Sequence, residues 1–210
     1  MPAPLKRTSI ILGVTGSIAS YKAVDLASKL VQAGADVDVV MTPEAVNFVT
    51  PLAFQSITHR PVIAELFNPT SEIGIDHVAL AKRADAIVVA PATANTLAKM
   101  TLGMEDDALT TTILATQAPV LVCPAMDGHM YENAAVQANL RVLQDRDVLI
   151  AGPVDGHLAS GLSGKGRMVD VPEILGHLKQ LLGRNGDLKA RRIVVSAGGT
   201  QEAIDPVRFI

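Results

Sequence analysis

Tryptophan is absent from this chain and aromatic residues make up only 3% of it, so the core must be built from Val, Ile, Leu, Ala and Met. A single cysteine excludes an internal disulfide and any cysteine-cluster metal site. His59, His129, His157 and His177 show no metal-ligand spacing with one another or with Cys123, and no metal is expected. Positive charge is not in excess: a formal net charge of -3 leaves no electrostatic footprint for nucleic acid. No apolar run approaches the roughly 18 residues that a membrane helix needs. The opening Met-Pro-Ala-Pro-Leu-Lys-Arg leads straight into a strand rather than a signal-peptide core, so a soluble cytoplasmic protein is expected.

What is present is apolar and regular. With 49% hydrophobic and 19% charged residues in 210, the chain fits one generous domain, or one domain plus a fragment. Short runs rich in Val, Ile, Leu and Ala predict strands at Ser9–Val14, Asp36–Met41, Ala86–Ala90, Pro119–Cys123, Val148–Ala151 and Arg192–Ser196. Helical patterns lie between most of them, which argues for βαβ units and a parallel sheet. In the first helix Ser17 is read as the N-cap and Val24, Ala27 and Val31 as the apolar stripe. Lys22, Asp25, Lys29 and Gln32 face water, and Gly34 ends the helix in a left-handed cap. Further helices are predicted at Pro43–Val49, His77–Arg83, Thr93–Thr101, Asp107–Thr116, Ala134–Gln144 and Pro172–Leu182. The pattern divides the chain into a domain over 1–182, a polar linker over 183–190 and the opening of a second α/β domain over 191–210.

Two strand ends carry the chemistry. Pro91-Ala-Thr-Ala-Asn-Thr96 and Pro124-Ala-Met-Asp127 each place small polar groups at the carboxyl edge of a predicted parallel strand, where open α/β sheets bind ligands. Asn95 and Thr96 either hold a ligand or cap a helix, and the sequence leaves both open. Gly13-Val-Thr-Gly16-Ser17-Ile18-Ala19 joins the first strand to the first helix, a setting in which backbone N–H groups receive phosphate. Its spacing is not G-x-G-x-x-G, and the second strand ends in Met41-Thr42 with no acid for a ribose. That favours a mononucleotide such as FMN over NAD. Asp76-His77 precedes a helix, where His77 is a candidate acid or base. The five glycines between Gly152 and Gly166 mark a functional flap.

Jointly and in this order, these motifs resemble the flavin-dependent cysteine decarboxylases. They are the Gly-Ser-Ile-Ala turn, His77, Pro-Ala-Thr-Ala-Asn-Thr, Pro-Ala-Met with Met130 and Tyr131 downstream, and the Gly-x-Gly-Arg-Met flap. Within that family the likeness is to the decarboxylase half of bifunctional enzymes that join phosphopantothenoylcysteine decarboxylation to phosphopantothenate–cysteine ligation. It implies an α/β, Rossmann-like or flavodoxin-like three-layer fold with a parallel sheet. It implies FMN as cofactor, held by Gly16, Ser17, Thr42, Thr93 and Asn95. It implies His77 and Ser160 as catalytic residues, and Asp127, Met130, Lys165 and Arg167 as substrate contacts. The expected substrate is 4′-phosphopantothenoylcysteine and the product 4′-phosphopantetheine, a step of coenzyme A biosynthesis. In the family the cysteinyl thiol is oxidised by FMN to a thioaldehyde, decarboxylation follows, and the enethiol is then reduced. A homotrimer or a dodecamer of trimers is expected. The tail from Ala197 to Arg208 resembles the start of the ligase half, which uses CTP, and with that half cut off no ligation is expected.

Two positions depart from the family pattern. Asp127 stands where an Asn amide commonly holds the substrate carboxylate; it must be protonated, contact another group, or share the task with a cation such as Lys165. Ser160 stands where the flap commonly carries a proton-donating Cys, and a hydroxyl is a far weaker acid than a thiol. Cys123 is the one remaining thiol, read either as a substitute or, more simply, as strand packing. These departures also admit a non-catalytic FMN-binding scaffold for the attached ligase. A flavin prenyltransferase of the same fold is disfavoured by the tail and by the flap.

Overall fold

Alternation of buried side chains between two cores explains why the apolar runs read as strands. The computed structural model describes residues 5–65, 76–184 and the single positions 192, 194 and 195, without the side chains of 76 and 77. Strands β1 (Ser9–Val14), β2 (Asp36–Met41), β3 (Val62–Ile63), β4 (Ala86–Ala92), β5 (Val120–Pro124) and β6 (Leu149–Ile150) form one sheet in the order β3-β2-β1-β4-β5-β6. All of its pairings are parallel. Successive residues of a strand face opposite sides. Ile10, Leu12, Val88 and Leu121 therefore enter one core, while Ile11, Val40, Ile87 and Val122 enter the other. With both faces covered, every residue of β4 and β5 is buried. Helices α1 (Ser20–Gln32), α2 (Pro51–Thr58) and α8 (Val171–Gly183) contribute to the first core. Helices α3 (Asp76–Arg83), α4 (Ala94–Leu102), α5 (Ala108–Ala115) and α7 (Ala134–Asp145) contribute to the second. The expected three-layer α/β fold is the one observed.

Several local expectations are corrected. Helix α1 starts at Ser20 and its N-cap is Ala19; the Ser17 hydroxyl instead accepts the Ala19 N–H within the preceding turn at 3.2 Å. The buried stripe is Ala23, Leu26, Ala27 and Leu30, with Val24 and Val31 at its margins. Gly34, at φ +92°, does end the helix: its N–H bonds Val31 O and the next N–H bonds Leu30 O, a Schellman closure. The helix expected at Pro43–Val49 is a single 3-10 turn, Ala45–Asn47. Thr50 before Pro51 is extended, and the true helix α2 opens with that Pro in its first turn. Short β3 and α6 (Gly128–Glu132) were not foreseen. The strand expected at Arg192–Ser196 and the turn after it lie outside the described residues.

Candidate active site at the carboxyl edge of the sheet

The order β3-β2-β1-β4-β5-β6 reverses direction between β1 and β4, which opens a crevice at their carboxyl ends. Thr15, one residue past β1, spans that crevice at its base. Its hydroxyl donates to Pro91 O at 2.9 Å and accepts the Thr93 N–H at 3.1 Å. Ser20 continues the stitching from α1 by donating to Thr15 O at 2.9 Å and to Ser17 O at 2.6 Å. Gly16 has no room for a side chain because Glu44 packs against it. Thr93 caps α4 by accepting the Thr96 N–H, so Thr96 is buried in a cap and Asn95 is exposed. The hydroxyl of Thr42, at the end of β2, is buried and has no hydrogen-bond partner among the described residues.

A cavity of about 690 Å³ opens above this crevice. Its walls are the β1–α1 turn with Gly16, Ser17, Ile18, Tyr21 and Lys22, the start of α4 with Thr93, and the β5–α6 segment with Met126, Asp127 and Met130. The remaining wall is the flap, an antiparallel hairpin of β7 (Val154–His157) and β8 (Ser163–Arg167) that contributes His157, Ser160 and Arg167. Its tip turns at Gly161, where φ is +84°. The base of the hairpin lies on the β5–α6 segment: Met126 N–H donates to Gly166 O at 3.0 Å, and Met126 O leaves no space for a side chain at Gly166.

Asp127 and Ser160, the two departures noted in the sequence, bond to each other. The Ser160 hydroxyl donates to Asp127 Oδ2 at 2.6 Å, and Asp127 Oδ1 accepts the His129 N–H at 3.1 Å as the N-cap of α6. The Ser160 hydroxyl, then the His129 N–H, hold the Asp127 carboxyl below the usual carboxylate range, so it is ionised at neutral pH. Of the ways open to Asp127, contact with another group is the one this geometry displays, through Ser160 of the flap. Lys165 does not line the cavity; its ammonium sits 5.6 Å from the centre of the Tyr131 ring. Across the cavity Asp170 accepts from Lys22 at 2.9 Å and from Arg167 at 2.7 Å, while Lys22 also donates to Met168 O at 3.1 Å. The Lys22 hydrogen bond and charge, with Arg167 behind them, hold Asp170 below its ordinary range. Lys22 therefore ties α1 to the flap base rather than facing water.

Cys123 is fully buried in β5, where burial pushes its thiol far above its ordinary range; it packs the strand. Of the predicted site residues, the structure brings Gly16, Ser17, Thr93, Asp127, Met130, Ser160 and Arg167 to one cavity, and leaves Thr42, Asn95 and Lys165 outside its lining. His77 lies in the first turn of α3, and its side chain is outside the described residues. Sequence reasoning missed Thr15, Lys22, Asp170 and His157. For His157 a signal existed: it stands three residues before Ser160 in the same Gly-rich segment.

The family described as Flavoprotein matches residues 2–183, and the DNA/pantothenate metabolism flavoprotein C-terminal domain matches residues 188–210. The coenzyme A biosynthesis bifunctional protein CoaBC of Haemophilus influenzae is 45% identical over 201 residues, covering 96% of this chain and 50% of that protein. The CoaBC protein of Bacillus subtilis is 44% identical over 207 residues, covering 98% and 51%. The chain thus spans about half the length of the curated relatives it matches. Among solved structures, a cysteine-to-serine mutant of PPC decarboxylase complexed with pantothenoylaminoethenethiol is similar with TM-score 0.75 and 28% identity, covering 83% of this chain and 98% of that one. The FMN-dependent cysteine decarboxylase SpaF is similar with TM-score 0.73 and 28% identity, covering 85% and 97%. With one family matched from the first strand to the last described helix, the chain belongs to the flavoprotein family.

Proposed function

We propose that this chain is the FMN-dependent decarboxylase portion of a coenzyme A biosynthesis protein, converting 4′-phosphopantothenoylcysteine to 4′-phosphopantetheine. The observation that carries the reading is a flap-covered cavity at the sheet's switch point, in a chain 45% identical to CoaBC over nearly its whole length. The residues fit FMN. A cavity of about 690 Å³ is within the roughly 300–1,000 Å³ range of small-molecule sites. Gly16, Ser17 and Thr93 offer backbone N–H and hydroxyl groups on its wall; Thr42, buried at the end of β2 with no partner among the described residues, lies outside that lining and joins the cofactor site by the resemblance alone. Asn95, exposed on the first turn of α4, reaches the cofactor only from the cavity rim. When bound, FMN supplies the two-electron oxidation that gives the departing carboxylate's electrons a C=S group to enter, and the matching reduction.

The chain's own residues bind, orient and enclose. Met130 and Arg167 face the substrate, Asp127 and Ser160 close the flap over it, and Lys165 serves the outer face of the same hairpin. His77 is the active-site base or its orienting residue. Ser160, expected to act in the proton step, donates its hydrogen bond to the Asp127 carboxylate. Exposed Ile18 and Tyr21 on the cavity rim support a subunit neighbour, in keeping with a homotrimer or a dodecamer of trimers. A cytoplasmic location fits the finding that no described helix is long and apolar enough to cross a membrane. The division at 1–182, 183–190 and 191–210 is supported by the gap between the two family matches, and CTP belongs to the ligase portion beyond.

A second reading, a non-catalytic FMN-binding scaffold for that ligase, is favoured by one observation: among the described residues no thiol reaches the cavity. Anaerobic incubation of the yellow, FMN-loaded protein with 4′-phosphopantothenoylcysteine separates the two. Release of CO2 with formation of 4′-phosphopantetheine supports the decarboxylase, and retained FMN without CO2 supports the scaffold.

A further inference from the structure

After CO2 departs, the substrate is left as an enethiolate, N–CH=CH–S⁻, and a proton must reach the carbon that lost the carboxylate. Few groups on the cavity wall are able to give one. Ser160 donates to the ionised Asp127, both of whose oxygens already accept hydrogen bonds. Lys22 and Arg167 are held on Asp170, and Arg does not release its proton. Phenols and ammonium groups are ordinarily weak acids. Imidazole alone among common side chains exchanges a proton near neutrality. Among the described residues one imidazole lines the cavity, that of His157 at the end of β7; His77, whose side chain lies outside them, is taken as the base of the oxidative half. It pairs across the hairpin with Ser163, whose Oγ lies 3.2 Å from His157 Nδ1. That contact engages Nδ1 and leaves Nε2 without a hydrogen-bond partner among the described residues, on an exposed residue of the cavity lining.

We infer that His157 is the proton donor for the reductive half of the proposed decarboxylation, giving its Nε2 proton to the carbon vacated by CO2. This rests on the decarboxylase reading above. The imidazolium proton forms the new C–H bond, the C=C pair shifts, and N–CH=CH–S⁻ becomes N–CH2–CH=S. The C=S group is then closed to C–SH by the two electrons and two hydrogens taken from the thiol in the first oxidation. Neutral His157 keeps its Nδ1–H on Ser163 Oγ and recovers a proton from water.

The test is His157→Gln in the FMN-loaded protein under anaerobic conditions. CO2 release is expected to stop near one per flavin, with pantothenoylaminoethenethiol phosphate accumulating and 4′-phosphopantetheine formation falling by on the order of 10²–10⁴-fold. Glutamine is expected to keep the Ser163 contact, and the hairpin is exposed, so unfolding is separately checked by an unchanged melting transition. A readout independent of turnover is histidine-ring nitrogen NMR: 4′-phosphopantetheine shifts His157 Nε2 and leaves His177, on α8, in place. Normal thiol product from His157→Gln, enethiol accumulation in Ser160→Ala alone, or a His157 ring untouched by the product would overturn the assignment. A parent protein that releases no CO2 removes the decarboxylase reading and this inference with it.

Discussion

Pro91 and Pro124 sit on adjacent strands, yet the chain beyond each is held in a different way. Past Pro91 the backbone is stitched to β1 by both roles of one hydroxyl, the buried Thr15, before Thr93 caps α4. Past Pro124 the chain is held by the flap instead, through two hydrogen bonds among the described residues: Met126 N–H to Gly166 O and the Ser160 hydroxyl to Asp127. The first edge has its polar groups satisfied by interior partners, the arrangement that fixes a cofactor in one pose. The second is closed at the flap tip by a hydrogen bond open to water, Ser160 to Asp127, the arrangement of a part that opens and closes.

Thr15→Val breaks the stitched edge and is expected to have the largest effect on stability. It orphans the Pro91 carbonyl and the Thr93 N–H, at about 1–3 kcal/mol for each buried group left unpaired. Urea unfolding should show a lower midpoint with an unchanged slope, accompanied by loss of FMN. Gly166→Ala attacks the other edge, because the new methyl meets Met126 O. Here the unfolding midpoint should move little, while hydrogen exchange at 157–166 rises and CO2 release falls by about tenfold or more. Ser160→Ala and Asp127→Ala sharpen the contrast further. Each should speed exchange at the flap tip several-fold, and the double variant no more than Asp127→Ala alone, since both remove the Ser160–Asp127 bond and Asp127→Ala also removes the α6 cap. Additive effects would separate the two residues.

The smallest effect is that of pH. Asp127 and Asp170 both have lowered pKa values in the folded chain, so the bonds they accept are complete above the ordinary carboxyl range and are lost as pH falls through the lowered values. Pepsin should therefore leave the flap intact near pH 4 and cut between Leu158 and Leu162 only well below the ordinary Asp value of about 3.9.

The buried strands were legible because a run covered on both faces is apolar at every position, as β4 and β5 are. Short elements were not: two-residue β3 and five-residue α6 carry too little pattern, and Pro51 divided what read as one helix from the helix that forms. The site was legible at its small residues, Gly16, Ser17, Thr93 and Asp127, and illegible wherever partners are distant in the chain. Thr15 meets residues 76 and 78 positions away, and Lys22 meets Asp170 across 148. Periodicity has no register for such pairs. Asp127 and Ser160 each read as a puzzling departure alone, and their hydrogen bond makes them one feature.

The central claim is that this cavity completes both halves of a redox-neutral decarboxylation without a flap thiol. Counting CO2 released per bound FMN under strict anaerobiosis, with no added oxidant, tests it directly. Many CO2 per flavin, matched by equal 4′-phosphopantetheine, is the predicted result, since each reduction restores the oxidised cofactor. One CO2 per flavin, or none, would contradict it.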